Sequence, residues 1–584
     1  MSRTKSAAEP VPPADAPSRS RIRRTLGGSP LAWCATAVFV ALLVVWSMIT
    51  PDFRNPDEPQ HVNSVLRVAS GGGWPKPAEA HFTEGVLRAR TLAGFSAVDG
   101  QRGNWSGGTL LPGVRAQLKP SDQKYFALFS TRPVTPDSAR LPFSELKATR
   151  PLDLTKYGDQ MTQHPPLYYV LSAGVVGTLG AQHWRFDTAV GLMRLVSVAL
   201  VGLVPLMAFS VTRTLTGNRR LADLAAVLPL AIPQLASIGS SVTNDALVIF
   251  LGGLAAVLLA KVLCGDRSWR TLLLTGLTLG LGLLTKGTLL TLVPVVGLAV
   301  VVGARWPTSA AGRLSWRATV LRLAAVWGLA FAVGGWWWAV NVLRYGHLQP
   351  EGVPGSGAIA PGQRSSILEY AGTWLTRLTT TFWGDFGWLE LPINSIVAVV
   401  LTVVLTLAVL LSLRAGRFRL VLLSLLSFFL LTALAMFAST YSGYEASGQY
   451  AGIQGRYLFG ALVPVFAAAA IGLGALTSEE GRIRRWLPVI ALPIALAMAA
   501  YGLVVGFLGF YLDVGWTPGG AWHRMVDWSP WPGWAAVGLL VALVLLSAAA
   551  LVISVWSARR PLADDPYQPG ARRRQVDAAA VPAT

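Results

Sequence analysis

The sequence predicts an all-α integral membrane protein of about 12 transmembrane helices with one large early loop, and three observations predict it. Apolar residues make up 53% of the 584-residue chain and charged residues 13%, with a mean hydropathy of +0.49. A soluble chain carries about a quarter charged residues. Apolar runs of about 17 to 23 residues recur along the sequence, long enough to cross roughly 30 Å of hydrocarbon. Basic residues gather in the short segments between those runs, as the positive-inside rule requires of cytoplasmic connections. The net charge of +20, from 49 basic and 29 acidic residues, is therefore a topology signal and no sign of nucleic-acid binding. The two cysteines, Cys34 and Cys264, form neither a disulfide framework nor a metal-type spacing.

Residues 1–29 are rich in Pro, Ala, Ser and Arg, with Arg19, Arg21, Arg23 and Arg24 before the first run. They read as a disordered cytoplasmic tail. The first span, from Leu31 to Ile49, has no small-residue cleavage site after it and reads as an uncleaved anchor. The loop from 50 to 165 is too long for an unstructured connector and predicts a small folded cap on the outer face. Over 51–165 it holds 14 basic against 11 acidic residues, a near balance that suits a translocated segment. It closes at His164-Pro165-Pro166-Leu167-Tyr168-Tyr169.

The next apolar stretch, 167–181, is short and reads as a juxtamembrane or re-entrant helix, with a thirteenth span if it crosses. Span 191–211 then returns to the basic segment at Arg213, Arg219 and Arg220. Further spans are expected at about 221–240, 243–263, 271–285, 288–303, 320–341, 394–413, 420–438, 457–476, 487–511 and 533–556. Inside connections carry Arg267 and Arg270; Arg305, Arg313 and Arg317; Arg414, Arg417 and Arg419; and Arg482, Arg484 and Arg485. The membrane domain is thus 30–560, with a second disordered cytoplasmic tail from 561 to 584. Both termini fall inside a multi-pass protein of the cell membrane.

Candidate chemistry collects at outer span ends. Asp57 and Glu58 sit just past the first span. As a helix start, Asp57 caps, Pro59 falls in the first turn and Gln60 completes a capping box. As chemistry, the pair are catalytic candidates facing a cleft. His61 lies four residues after Asp57 on one helical face, so Asp57 and His61 are also candidate ligands of a divalent cation, no cofactor being certain. Asp245 is an acid at the outer end of an apolar span, which is either a dipole-favoured first-turn residue or a functional group. Lys286 interrupts an apolar run beside Gly287 and a new helix N-terminus, a setting that suits a phosphate as well as a snorkelling lysine. Arg194 and Arg456 are similar outer-end cations. Most of the 22 tryptophans read as interface belt residues.

Four features in order resemble the GT-C superfamily of membrane glycosyltransferases that use polyprenyl-phosphate-linked sugars, closest to a group of bacterial multispan proteins related to them. Pro56-Asp57-Glu58 follows the first span, and His164 to Tyr169 closes the first loop, with Arg194 on the next span. Asp245 lies in the next outer turn, and Thr285-Lys286-Gly287 follows. The match covers roughly the first 300 residues. It implies a GT-C-like fold and an inverting transfer from a polyprenyl-phosphate sugar to a cell-envelope glycan, lipid or protein acceptor. Asp57 would serve as general base or acceptor-orienting acid, or would hold a metal, with Glu58 and Asp245 as further catalytic candidates. Lys286, Arg194, His164, Tyr168 and Arg456 would bind substrate, the cations holding the leaving phosphate. Membrane lipids are the remaining partners. A transporter or flippase of lipid-linked glycans, which would show internal repeats and midplane charges, and a non-catalytic envelope-assembly protein are the alternatives.

Overall fold

The structure, a computed structural model, describes residues 29–94, 134–147, 152–306, 312–352, 366–414, 416–448, 450–477, 482–511 and 518–560. The expected tails 1–28 and 561–584 and part of the early loop lie outside the described residues. Helices α1 (Pro30–Ile49), α2 (Glu58–Ala69), α3 (Glu84–Leu92) and α4 (Leu167–Thr178) open the chain. They are followed by α5 (Phe186–Val201), α6 (Val204–Thr216), α7 (Arg219–Val227), α8 (Pro233–Gly239) and α9 (Asp245–Leu263). Next come α10 (Trp269–Leu283), α11 (Leu292–Arg305), α12 (Trp316–Ala330), α13 (Trp336–Tyr345) and α14 (Ile367–Trp383). A two-residue antiparallel pair, Asp385–Phe386 with Leu391–Pro392, precedes α15 (Ser395–Ser412). The chain finishes with α16 (Arg419–Ser447), α17 (Leu462–Ala475), α18 (Arg482–Tyr511), α19 (Pro518–Trp528) and α20 (Gly533–Arg559).

Among the described residues, ten helices are long and apolar enough to cross a membrane, or up to eleven with one bent pair. The expected 12 spans differ at two places, each for a physical reason. The stretch near 221–240 carries Pro229 and Pro233, which remove backbone donors. It forms two segments, Arg219–Ala231 and Pro233–Gly239, bent by 73°. The stretch near 271–285 gives a helix of only 15 residues. The short α4, with 12 residues, agrees with a helix that does not cross.

The core is set by the spans that polar groups interrupt. Span Gly455–Ala475 is 89% buried and Asp245–Leu263 78%, whereas Gly533–Arg559 is 11% and Ser395–Ser412 17%. The first two form the centre, and the last two present Val and Leu outward, as lipid-facing helices do. Close approach at the centre needs glycine. A Cβ on Gly252 of α9 would stand 2.1 Å from the Gly460 carbonyl, and one on Gly472 of α17 would stand 1.7 Å from the Ala408 carbonyl on α15. The early loop packs α2 against α4, and segment 342–393 contains α14, opened by a capping box of Ser366 and Glu369.

Candidate functional site

The site begins where α1 ends. The last carbonyls of a helix lack partners inside it and carry partial negative charge. Arg194, on α5, answers them. Its Nη1 donates to the carbonyls of Ser47 (2.9 Å) and Thr50 (2.7 Å), and its Nη2 to that of Pro51 (2.9 Å). The same guanidinium holds Glu58 in a two-pronged pair, Nε to Oε1 at 2.8 Å and Nη2 to Oε2 at 2.7 Å. Glu58 is fully buried and its Oε1 also accepts from the Val242 amide at 3.1 Å. All five donors of Arg194 are thus used within the protein. The structure places Arg194 and Glu58 together in a buried clamp, each bonded to groups of the protein itself.

The clamp fixes the turn between α1 and α2 and turns the neighbouring carboxylate the other way. Asp57 takes the left-handed conformation, φ 60° and ψ 10°, which aspartate tolerates better than most residues. Its side chain does not cap α2, contrary to the capping-box reading. Instead Oδ2 accepts from Arg456 Nη2 at 2.6 Å, and Oδ1 from Gln160 Nε2 at 3.3 Å. With its side chain 24% exposed, Asp57 is the open member of the group, while Arg456 is 3% and Asp245 2% exposed. Gln160 is itself held by the next residue back: Asp159 is buried and accepts from Asn63, Ser64, Arg67 and the Met161 amide.

Three interrupted spans supply the rest. The turn between α8 and α9 brings Asp245, whose Oδ1 accepts from Lys286 Nζ at 2.6 Å and whose Oδ2 lies 3.6 Å from Arg456 Nε. The first-turn position and the buried ion pair hold together for Asp245. The break between α10 and α11 brings Lys286, as the residue before a short 3-10 turn, Gly287–Thr291. The 3-10 segment Gly455–Ala461 brings Arg456, anchored by the Gly455 amide on Thr381 Oγ1 at 2.9 Å. Tyr457 lies between the two cations, 4.8 Å from Lys286 Nζ and 5.2 Å from Arg456 Cζ to its ring centroid. Asp57, Asp245, Lys286 and Arg456 therefore form one cluster of two acids and two cations.

The remaining candidates surround it. Tyr168 is buried; its hydroxyl accepts from the Thr243 amide at 3.0 Å and meets Ser197 Oγ at 3.0 Å, so it orients the turn before Asp245. His61 places Nδ1 at 2.9 Å from the Tyr169 hydroxyl and Nε2 at 3.4 Å from Thr243 Oγ1. Asp57 and His61 thus meet different partners. Among the described residues no group of three or more His, Cys, Asp or Glu is arranged to hold a metal. Burial, then the nearby Lys286 charge, hold both His61 and His164 well below the usual imidazole range, so both are neutral at pH 7. His164 Nδ1, the Asn244 amide, Thr288 Oγ1, Asp245 Oδ2 and Arg456 Nε are buried with no hydrogen-bond partner among the described residues. Two of these atoms, Asp245 Oδ2 and Arg456 Nε, face each other as the 3.6 Å ion pair.

Sequence reasoning missed Gln160 and Tyr457. Tyr457 was within reach, since Gln454-Gly455-Arg456-Tyr457 is a polar break in an apolar run. Gln160 carries no such signal, because its role depends on a contact 103 residues away.

Several solved structures match the chain in part. ArnT from Cupriavidus metallidurans bound to undecaprenyl phosphate matches at 14% identity and a TM-score of 0.38, covering 88% of this chain and 77% of that one. The Archaeoglobus fulgidus oligosaccharyltransferase in the apo form matches at 15% and 0.36, covering 85% and 60%. The S. cerevisiae protein O-mannosyltransferase Pmt1-Pmt2 complex bound to the sugar donor matches at 23% and 0.25, covering 32% and 27%. With TM-scores of 0.38 or below, these likenesses decide nothing about chemistry. No curated protein matches the chain. The model of one family, described as predicted membrane protein (DUF2142), matches residues 40–466. That span holds every residue of the cluster, and the chain belongs to the DUF2142 family of membrane proteins.

Proposed function

We propose that the protein is a membrane glycosyltransferase that moves a sugar from a polyprenyl-phosphate donor to a cell-envelope acceptor on the outer face, with inversion. The observation that carries this reading is the cluster itself: one partly open carboxylate, Asp57, beside two fixed cations, Lys286 and Arg456, at the membrane edge. The order of motifs that resembles GT-C enzymes points the same way. An acceptor hydroxyl attacks the anomeric carbon as the bond from that carbon to the phosphate oxygen breaks. The hydroxyl proton passes to Asp57, and the electron pair leaves with polyprenyl phosphate. A positioned carboxylate is a competent general base, worth about 10²–10⁴ in rate. Lys286 and Arg456 offset charge as it develops on the leaving phosphate, the largest kind of contribution such a site makes. Asp245 holds both cations in place. Glu58, Arg194 and Tyr168 position the turns and touch no substrate.

The test uses the full chain in lipid nanodiscs, a panel of polyprenyl-phosphate sugars and cell-envelope extract as acceptor. Release of polyprenyl phosphate is measured for wild type and Asp57→Asn, with thermal unfolding as the folding control. Turnover of one donor that drops at least about 100-fold in Asp57→Asn is the expected outcome. Turnover unchanged in the variant would remove Asp57 as the base. Absence of transfer from every donor, with the protein folded, would sink the enzyme reading.

A further inference from the structure

The opposite ends of these spans carry a second polar feature, independent of the proposed chemistry. Helix α9 runs from Asp245 to Leu263, so its far end lies about 28 Å from the cluster at 1.5 Å per residue. There the end of α9, the start of α10, the end of α11 and the start of α12 meet around a shallow cavity open to solvent. Asp266, Arg267, Gly303, Leu314 and Arg322 are among its lining residues. Arg267 donates to the Gly312 carbonyl at 2.6 Å, and Arg322 to the Ala318 carbonyl at 3.0 Å. Neither is paired with a carboxylate among the described residues. The Nε of each is buried with no hydrogen-bond partner among the described residues. The one acid present is already committed: Asp266 Oδ1 accepts from the Ser268 amide and Oδ2 from Thr271 Oγ1. Arg267 Nη2 also donates to the Gly303 carbonyl at 3.4 Å, and Arg322 lies over the Trp269 ring at 5.4 Å. Two guanidinium groups without a carboxylate partner among the described residues, on one cavity, suit an anion, and a guanidinium matches phosphate geometry.

What lies beside the cavity narrows the class of anion. Trp269, Trp306 and Trp316, at or beside the ends of the same helices, are 44%, 53% and 56% exposed, as aromatic residues are at a membrane interface. One turn further into the membrane, Leu273 and Leu274 on α10 and Val320 and Leu321 on α12 are exposed, on helices that pack against each other. A soluble phosphate has no use for that apolar surface, whereas a phospholipid covers it with an acyl chain. The geometry points to a binding site for an anionic phospholipid, its phosphate on Arg267 and Arg322 and its chain along α10 and α12. Basic pockets between spans on the positively charged side of a membrane protein suit such headgroups.

The test titrates the full-length protein in neutral detergent with phosphatidylglycerol, phosphatidylcholine or inorganic phosphate, and reads the unfolding temperature and apparent affinity. Phosphatidylglycerol is expected to raise the unfolding temperature where phosphatidylcholine does not. The double variant Arg267→Gln with Arg322→Gln is expected to weaken that binding about thirtyfold, from two basic residues at the lipid surface. The matched loss of charge in Arg414→Gln with Arg419→Gln should leave it within about twofold, since those residues lie outside the cavity. Equal loss in both double variants would reduce the effect to overall charge and overturn the site. An equal shift from inorganic phosphate alone would replace the lipid by a soluble anion. If the Arg267 and Arg322 variant does not fold, a photoreactive phosphatidylglycerol on the wild type decides. Crosslinks not enriched over phosphatidylcholine in peptides 262–274 and 312–322 would overturn the proposal. None of these outcomes depends on sugar transfer, so this inference and the proposed activity fail separately.

Discussion

At the scale of single residues, buried charge is the dominant cost, and the molecule meets it in pairs. Glu58 and Arg194 are 0% and 2% exposed as side chains, so removing one member strands the other. Breaking a buried pair in this way costs about 3–5 kcal/mol. Arg194→Gln is therefore expected to lower thermal stability severely and to lose activity with it, where Asp57→Asn loses activity with the fold retained. Unfolding curves of the two variants in one detergent check this, and equal stability would remove the clamp. Asp52 gives a pH signature. Its carboxyl lies 3.7 Å from Arg194, yet burial outweighs that attraction and pushes its pKa up to about 8. The folded value exceeds the unfolded value of about 4, so its contribution is complete at low pH and is lost as pH rises toward 8. His61 and His164 have the opposite sign. Their depressed pKa values give a contribution present above about pH 6.5 and lost below it. The two histidines contribute equally to wild type and Asp52→Asn, so the difference between the proteins isolates Asp52. From pH 6.5 to 8 the wild type should lose on the order of 2 kcal/mol relative to Asp52→Asn. Parallel melting curves of the two proteins across that window would refute the assignment.

Among elements, the site is made by interruptions. The turn at 240–244, the break at Lys286 and the 3-10 segment at Gly455–Ala461 each stop an apolar run, and each delivers one charge to a common point. Their mutual position depends on α9 lying against the 3-10 segment, which Gly252 allows by leaving room for the Gly460 carbonyl. Gly252→Ala should therefore displace Arg456, cutting transfer at least about tenfold through the mispositioned site and lowering the unfolding temperature. An alanine variant with wild-type kinetics would show that the contact is not needed. The same interruptions explain what was legible in the sequence. Charges inside apolar runs stand out, so Asp57, Asp245, Lys286 and Arg456 were visible without coordinates. Partner choice was not. Neighbouring residues on a chain face different ways, and whether Asp57 or Glu58 meets Arg194 or Arg456 is decided by contacts 136 and 399 residues apart. Length alone misled at 221–240, where a 73° bend replaces a straight span, whereas 271–285 forms a 15-residue helix that still joins the basic cavity to Lys286. The helix α14 inside an expected loop had a readable start in Ser366-Ser-to-Glu369 spacing, a capping box hidden by the surrounding polar residues.

For the whole molecule, the two polar features lie at opposite ends of the same spans, and that fixes how it must sit in a bilayer. The helix from Asp245 to Leu263 is about 28 Å long, close to the roughly 30 Å of hydrocarbon, so the acid and cation cluster and the basic cavity emerge at different faces. Arginine-rich connections belong to the cytoplasmic face. Arg267, Arg270 and Arg305 should then face the cytoplasm, and Asp57 the outside. Single cysteines read this directly in a Cys34→Ser, Cys264→Ser background. Lys76→Cys reports the cluster face, where the Lys76 side chain is 67% exposed. Arg270→Cys reports the basic face, where Arg270 is exposed. In intact cells a membrane-impermeant maleimide should label position 76 and reach position 270 only after permeabilisation. The reverse pattern would place the cluster on the cytoplasmic face, so that donor and acceptor would have to meet there before export. Labelling of both positions in intact cells would mean that Trp269–Leu283 and its neighbours do not separate the two faces, and the division of the molecule into a reacting pole and a lipid-holding pole would fall with it.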